Sequence, residues 1–205
     1  MKLLITGIGT DVGKTIAAAI ITEALQADYW KPVQAGDLDN SDSHKIESYL
    51  SNTQSKIHPN SYLLHTPVSP HLAAKLDGIT IDLKKIQEPK TKNHLVIEGA
   101  GGVLVPLNDT DCIIDLIQPD YKVILVSRHY LGSINHTLLT FEALKQRKIK
   151  VAGIIFNGDE NQATESIILH KTGVKMIGRI NDEPYFDANV VAEYAEALRE
   201  NLQNL

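Results

Sequence analysis

The first fifteen residues constrain this chain more than any other stretch. An apolar run, Leu3–Thr6, enters a glycine-rich turn that ends in Gly13-Lys14-Thr15, and Ile16–Leu25 then reads as a helix. A strand, a flexible turn and a helix N-terminus in that order form a cradle for phosphate. The unpaired N–H groups of the first helical turn and the helix dipole both face an anion placed there. Lys14 can reach the outer phosphates of a nucleoside triphosphate, and Thr15 can offer a hydroxyl to Mg²⁺. The spacing is unusual. Five residues separate Gly7 from Gly13, where the common nucleotide loop has four between its glycines. A plain strand–turn–helix whose glycines serve only the turn is the competing reading, and the placement of Gly13-Lys14-Thr15 at a helix start after a strand favours the nucleotide loop.

Further apolar runs recur at Ala27–Trp30, Leu95–Glu98, Val123–Val126, Val151–Phe156 and Val174–Ile177. They are rich in Ile, Val and Leu and mostly lack alternation, the pattern of strands covered on both faces. Helical stretches lie between them at Thr15–Gln26, Ser133–Gln146, Glu160–Lys171 and Asn189–Asn204, the last with an apolar stripe of Val190, Val191, Tyr194, Leu198 and Leu202. Alternating strands and helices predict an α/β fold, a mostly parallel sheet flanked by helices on both faces, in one nucleotide-binding domain over 1–205. The polar middle, roughly 37–92, reads as loop with short helices near Ser43–Leu50 and Pro70–Leu76. A net charge of −5 argues against nucleic-acid or anionic-membrane partners. The single cysteine, Cys112, excludes an internal disulfide framework and reads as a small buried hydrophobe. The N-terminus runs straight into a strand with no leader-like segment, so a cytoplasmic location is expected.

Two more segments carry chemistry. Leu95-Val96-Ile97-Glu98 delivers a carboxylate at the carboxyl end of a strand, the edge that also holds the first loop. Such a group can hold Mg²⁺ directly or through water, and the small residues Gly99–Gly102 let backbone approach a ligand. Trp30-Lys31-Pro32 likewise ends a strand, so Lys31 can bring a second cation to a transferred phosphoryl group. Alone, Lys31 would be an ordinary surface lysine, and Ser41 or Asp42 a helix N-cap. Ser133, at a predicted helix start, could receive a carboxylate or simply cap the helix.

In order along the chain, Thr6-Gly7, Thr10–Thr15, Lys31-Pro32-Val33-Gln34-Ala35-Gly36, Asn40-Ser41-Asp42, Ser69-Pro70-His71, Glu98–Gly102, Leu131–His136 and Gly153 with Asn157 resemble the dethiobiotin synthetase family over nearly the whole length. The family's loop carries the extra residue. The resemblance implies a P-loop NTPase-like enzyme that uses ATP, Mg²⁺ and CO₂ or bicarbonate to close a ring on 7,8-diaminopelargonic acid, giving dethiobiotin, ADP and phosphate. It implies Lys14, Lys31 and Thr10 as catalytic residues, with Gly9, Thr10, Asp11, Val12, Gly13, Lys14, Thr15 and Asn157 on the nucleotide. It implies Thr15, Asp42 and Glu98 as metal ligands. Substrate contacts would come from Thr10, Asp11, Lys31, Ala35, Ser69, Gly99, Gly101 and Gly102. Leu131, Gly132, Ser133 and Asn135 would meet the remote carboxylate across a homodimer interface. Departures are Ala35, where many members carry Ser or Thr, and Gly178-Arg179-Ile180-Asn181, which lacks a common proline.

A regulatory P-loop ATPase of the partitioning type is the alternative. Those proteins carry a further lysine early in the loop, and Gly7–Val12 has none. A cobyrinate-type amidotransferase would need a glutaminase domain, for which the chain has no room.

Overall fold

The computed structural model describes residues 1–205. Its main sheet has seven parallel strands: β1 (Lys2–Gly7), β2 (Asp28–Trp30), β4 (Ile57–His58), β6 (Leu95–Gly102), β7 (Tyr121–Arg128), β8 (Val151–Asn157) and β9 (Met176–Ile180). Their spatial order is β4-β2-β6-β1-β7-β8-β9. The helices are α1 (Lys14–Leu25), α2 (Asp42–Tyr49), α3 (Pro70–Leu76), α4 (Ser133–Gln146), α5 (Gln162–Thr172) and α6 (Ala188–Gln203). From β1 the chain crosses by α1 to β2 on one side, and from β7 by α4 to β8 on the other. Right-handed crossovers therefore put α1 and α4 on opposite faces. α1 packs with α2 and α6, and α4 with α5. β1 and β7 are neighbours whose chains leave in opposite directions, which opens a crevice at their carboxyl ends.

The expected double burial holds. Leu3, Leu4, Ile5, Val123, Ile124, Leu125, Ile154 and Ile155 are essentially inaccessible and join one core with Ala17–Ile21 of α1. α6 docks by Val191, Ala195, Leu198 and Leu202. Gly178 makes room for it: a Cβ there would lie 2.1 Å from Leu198 Cδ2.

Several expectations are corrected. The polar middle is loop with short helices as expected, but it also holds strands that were not: β5 (Tyr62–Leu64) forms a separate parallel pair with β3 (Val33–Ala35), and β4 extends the main sheet. These strands of two or three residues are too short to carry a pattern of their own. β9 spans Met176–Ile180, not Val174–Ile177, since Gly173 ends α5 at φ 65° and Thr172 Oγ1 holds the N–H of Val174, so 173–175 are used in the turn. Cys112 is half-buried, because it stands just before a 3-10 turn with its N–H on Asp115. Of the two cap candidates, Ser41 caps α2, as one reading expected, and Asp42 is its first residue. Gly132, at φ 105°, occupies the cap position of α4, so Ser133 is not the cap.

Candidate active site

The glycine loop between β1 and α1 is shaped by backbone that side chains disfavour. Asp11 has φ 54° and Gly13 φ 90°. A Cβ on Gly13 would lie 2.2 Å from Asn157 Nδ2, which donates to the Val12 carbonyl at 2.9 Å. Asn157, at the end of β8, thus braces the loop from behind. Lys14 folds back over it, its Nζ donating to Gly9 O at 2.8 Å. Burial pushes the Lys14 ammonium below the usual lysine range, with Glu98 opposing the shift.

β6 lies beside β1 in register Ile5↔Glu98, which sets the Glu98 carboxylate under the start of α1. Its Oε1 accepts from Thr15 Oγ1 at 2.9 Å and Lys31 Nζ at 3.0 Å, and its Oε2 accepts from Tyr29 OH at 2.8 Å. Lys31 also donates to Asp42 Oδ2, so its ammonium sits between two carboxylates. Burial by itself would lower the Lys31 pKa, but Glu98 and Asp42 outweigh it and hold the value above the usual range. Asp42 moves the opposite way: burial would raise it, and the Lys31 charge brings it below the usual carboxylate range. Lys45 approaches the far oxygen of Asp42 at 3.7 Å. Thr15, Asp42 and Glu98 supply only oxygen donors, the set a hard cation such as Mg²⁺ takes, and the Lys31 ammonium marks the position between the carboxylates as one that favours positive charge.

These groups line a cavity of about 890 Å³ together with Thr10, Asp11, Gly13, Ala35, Ser69, Gly101 and Asn157. Thr10 and Asp11 are exposed at its rim. Gly9, Val12, Gly99 and Gly102 stand behind the wall, and Gly102 pairs with Gly7 so that the two glycine turns abut. Ala35 leaves that part of the wall without a hydroxyl. Leu131, Gly132 and Asn135 are exposed at the start of α4, apart from this cavity, and Ser133 is buried there. The fold therefore unites the loop, Lys31, Asp42, Glu98, Ser69 and Asn157, and leaves the Leu131–Asn135 segment outside. Tyr29, Arg128 and Asp182 went unsignalled. Arg128 and Asp182 line the cavity beside Asn157 and face each other at 3.4 Å. Tyr29 reads as an ordinary core aromatic; its only signal was its position two residues before Lys31.

The AAA domain family matches residues 1–190. The ATP-dependent dethiobiotin synthetase of Christiangramia forsetii is 60% identical over 198 residues, 97% of this chain and 96% of the relative. That of Cytophaga hutchinsonii is 55% identical over 202 residues, 98% of each. Among solved structures, the cell division ATPase MinD of Pyrococcus furiosus aligns with a TM-score of 0.65 at 14% identity, over 100% of this chain and 99% of that one. The septum site-determining MinD of Pyrococcus horikoshii, complexed with Mg-ADP, gives 0.62 at 14% identity, over 100% and 96%. At that identity the structural likeness concerns the fold alone.

Proposed function

The chain belongs to the ATP-dependent dethiobiotin synthetase family, and from that premise we propose how its site performs the reaction. It is a ligase of biotin biosynthesis that forms dethiobiotin at the expense of ATP. We assign the co-substrates as CO₂ and 7,8-diaminopelargonic acid. The observation that carries this reading is the linked set of Lys31, Asp42, Glu98 and Thr15 meeting the phosphate loop at one strand edge.

One substrate amine adds to CO₂ and loses a proton, giving a carbamate. A carbamate oxygen attacks the γ-phosphorus, and the bond to ADP breaks. The mixed anhydride that results carries phosphate as a good leaving group. The second amine attacks the carbamoyl carbon, loses a proton, expels phosphate and closes the five-membered ring. The protein supplies alignment and charge. Lys14 neutralises the outer phosphates and the transferring group, with the loop N–H groups of Gly9–Thr15 around them. Lys31 offsets charge on the carbamate and phosphoryl oxygens. Thr10 and Asp11, at the rim, face the second substrate with Ala35, Ser69 and Gly101, and Gly99 and Gly102 back this wall. Asn157 stands at the base end. Thr15, Asp42 and Glu98 would hold Mg²⁺, which supplies charge neutralisation on the phosphates when bound.

The remote carboxylate is assigned to Leu131, Gly132, Ser133 and Asn135 of a second copy in a homodimer. The full exposure of Leu131, with Leu139 at 60%, supports a covered surface at this end of α4. No helix is long and apolar enough to cross a membrane, and we place the enzyme in the cytoplasm with its ATP. The test supplies MgATP, bicarbonate and the diamine, following ADP release and ring product together. Product that depends on all three is expected, and ATP turnover indifferent to the diamine would refute the assignment.

A further inference from the structure

Tyr29 is fully buried on β2, two residues before Lys31. Residues two apart in extended chain face the same side, and these two reach one carboxylate from it. The Tyr29 hydroxyl donates to Glu98 Oε2 at 2.8 Å, and Lys31 Nζ donates to Oε1 at 3.0 Å. Thr15 adds its hydroxyl to Oε1 at 2.9 Å. The two oxygens are therefore unequal. Oε2 is engaged by a phenol that does not line the cavity, while Oε1 is shared only with residues that do.

We infer that Tyr29 is a positioning residue for the metal site, holding the Glu98 carboxylate so that Oε1 alone is presented to the cation. The inference rests on the assignment of Glu98 to Mg²⁺ made above. Without the phenol, the carboxylate would be free to turn and share both oxygens with the Lys31 ammonium, and the ligand oxygen would lose its fixed direction. In this bond the phenol O–H donates and the carboxylate oxygen accepts. Losing a partner that orients a metal ligand weakens metal affinity by about ten- to a hundredfold.

Tyr29→Phe keeps the ring and deletes the hydroxyl. Mn²⁺ is titrated into the variant with ATP, and free ion is read by electron paramagnetic resonance. The expected result is a Mn²⁺ affinity weaker by about ten- to a hundredfold, with ATP affinity in EDTA unchanged to within about twofold. In activity, the Mg²⁺ requirement rises while kcat at saturating Mg²⁺ stays close to the unmodified value. In a Glu98→Gln background, Tyr29→Phe should add nothing further to the loss of metal affinity. Mn²⁺ affinity left within about twofold, or an equal loss of ATP affinity in EDTA, overturns the inference. If Glu98→Gln itself leaves Mn²⁺ affinity intact, the metal assignment fails and the inference with it. Loss in Glu98→Gln with none in Tyr29→Phe overturns the inference alone. The unmodified protein gives an independent reading through tyrosine labelled at Cζ. The Tyr29 signal is expected to move when Mg²⁺ joins the nucleotide complex, and a signal that stays put refutes the role.

Discussion

Replacing Lys31 by methionine removes the ammonium that sits between the Glu98 and Asp42 carboxylates, and the structure fixes how large the effect should be. Lys31 is 5% exposed and Glu98 1%, with 3.0 Å between Nζ and Oε1. Deleting one member of such a buried pair costs about 3–5 kcal/mol, because the survivor is left without compensation. Here the lower end applies. Glu98 keeps hydrogen bonds from Tyr29 and Thr15, and Asp42 keeps the more distant Lys45. A loss of about 3 kcal/mol in a domain of this size corresponds to a Tm lower by about 6–12 °C. Thermal and urea unfolding in EDTA at pH 8 would measure it. The pH dependence gives the sign. In the unmodified protein Asp42 is held below its usual range, so its contribution is present above the unfolded pKa and lost as pH falls through the folded one. In Lys31→Met the Asp42 carboxylate loses the charge that opposes its burial and titrates upward, so the deficit should shrink between pH 8 and pH 5, and Mg²⁺ should restore part of it. A deficit below about 1 kcal/mol, the range of an exposed pair, or one that grows on acidification, would refute the reasoning.

Lys14→Ala should lower ADP release by on the order of a thousandfold while thermal unfolding still shows a folded protein; full turnover would mean the phosphate cradle is misassigned. Glu23 on α1 accepts hydrogen bonds from the backbone and side chains of Ser51 and Asn52, which bring its pKa below the usual range against the effect of burial. Glu23→Gln should therefore cost about 1.5–3 kcal/mol at neutral pH. That difference should fade as pH falls below the unfolded glutamate value of about 4.3 and through the lower folded one, as urea titrations across pH 3–7 would show. Leu131→Asp should turn a dimer into monomers in sedimentation velocity and raise KM for the diamine, and a variant that still sediments as the unmodified protein counts against the proposed interface.

What was legible in the sequence was local. The run from Leu3 into Gly13-Lys14-Thr15 and the run ending at Glu98 each carry their strand, turn and chemical group within a dozen residues, and the parallel sheet then brings them to one edge. The pairing of Lys31 with Asp42 spans a turn and a capped helix, and depends on how α2 packs on α1 and α6. β3 and β5 exist because they pair with each other, not because either has a pattern. Tyr29 looked like core because it is core; only its hydroxyl belongs to the site. Leu131, Gly132 and Asn135 are exposed while Ser133 packs inside the chain, so the three exposed residues take their contacts from outside it.

The brace on the phosphate loop has a consequence for how the loop keeps its shape. Asn157 commits one N–H of its Nδ2 to the Val12 carbonyl, and that tie fixes which way its carboxamide faces. A carboxamide free of it could flip, and the Val12 carbonyl would lose its partner. The shape of the cradle therefore depends on a strand end 145 residues further along the chain, so a change that shifts β8 is felt at the phosphates.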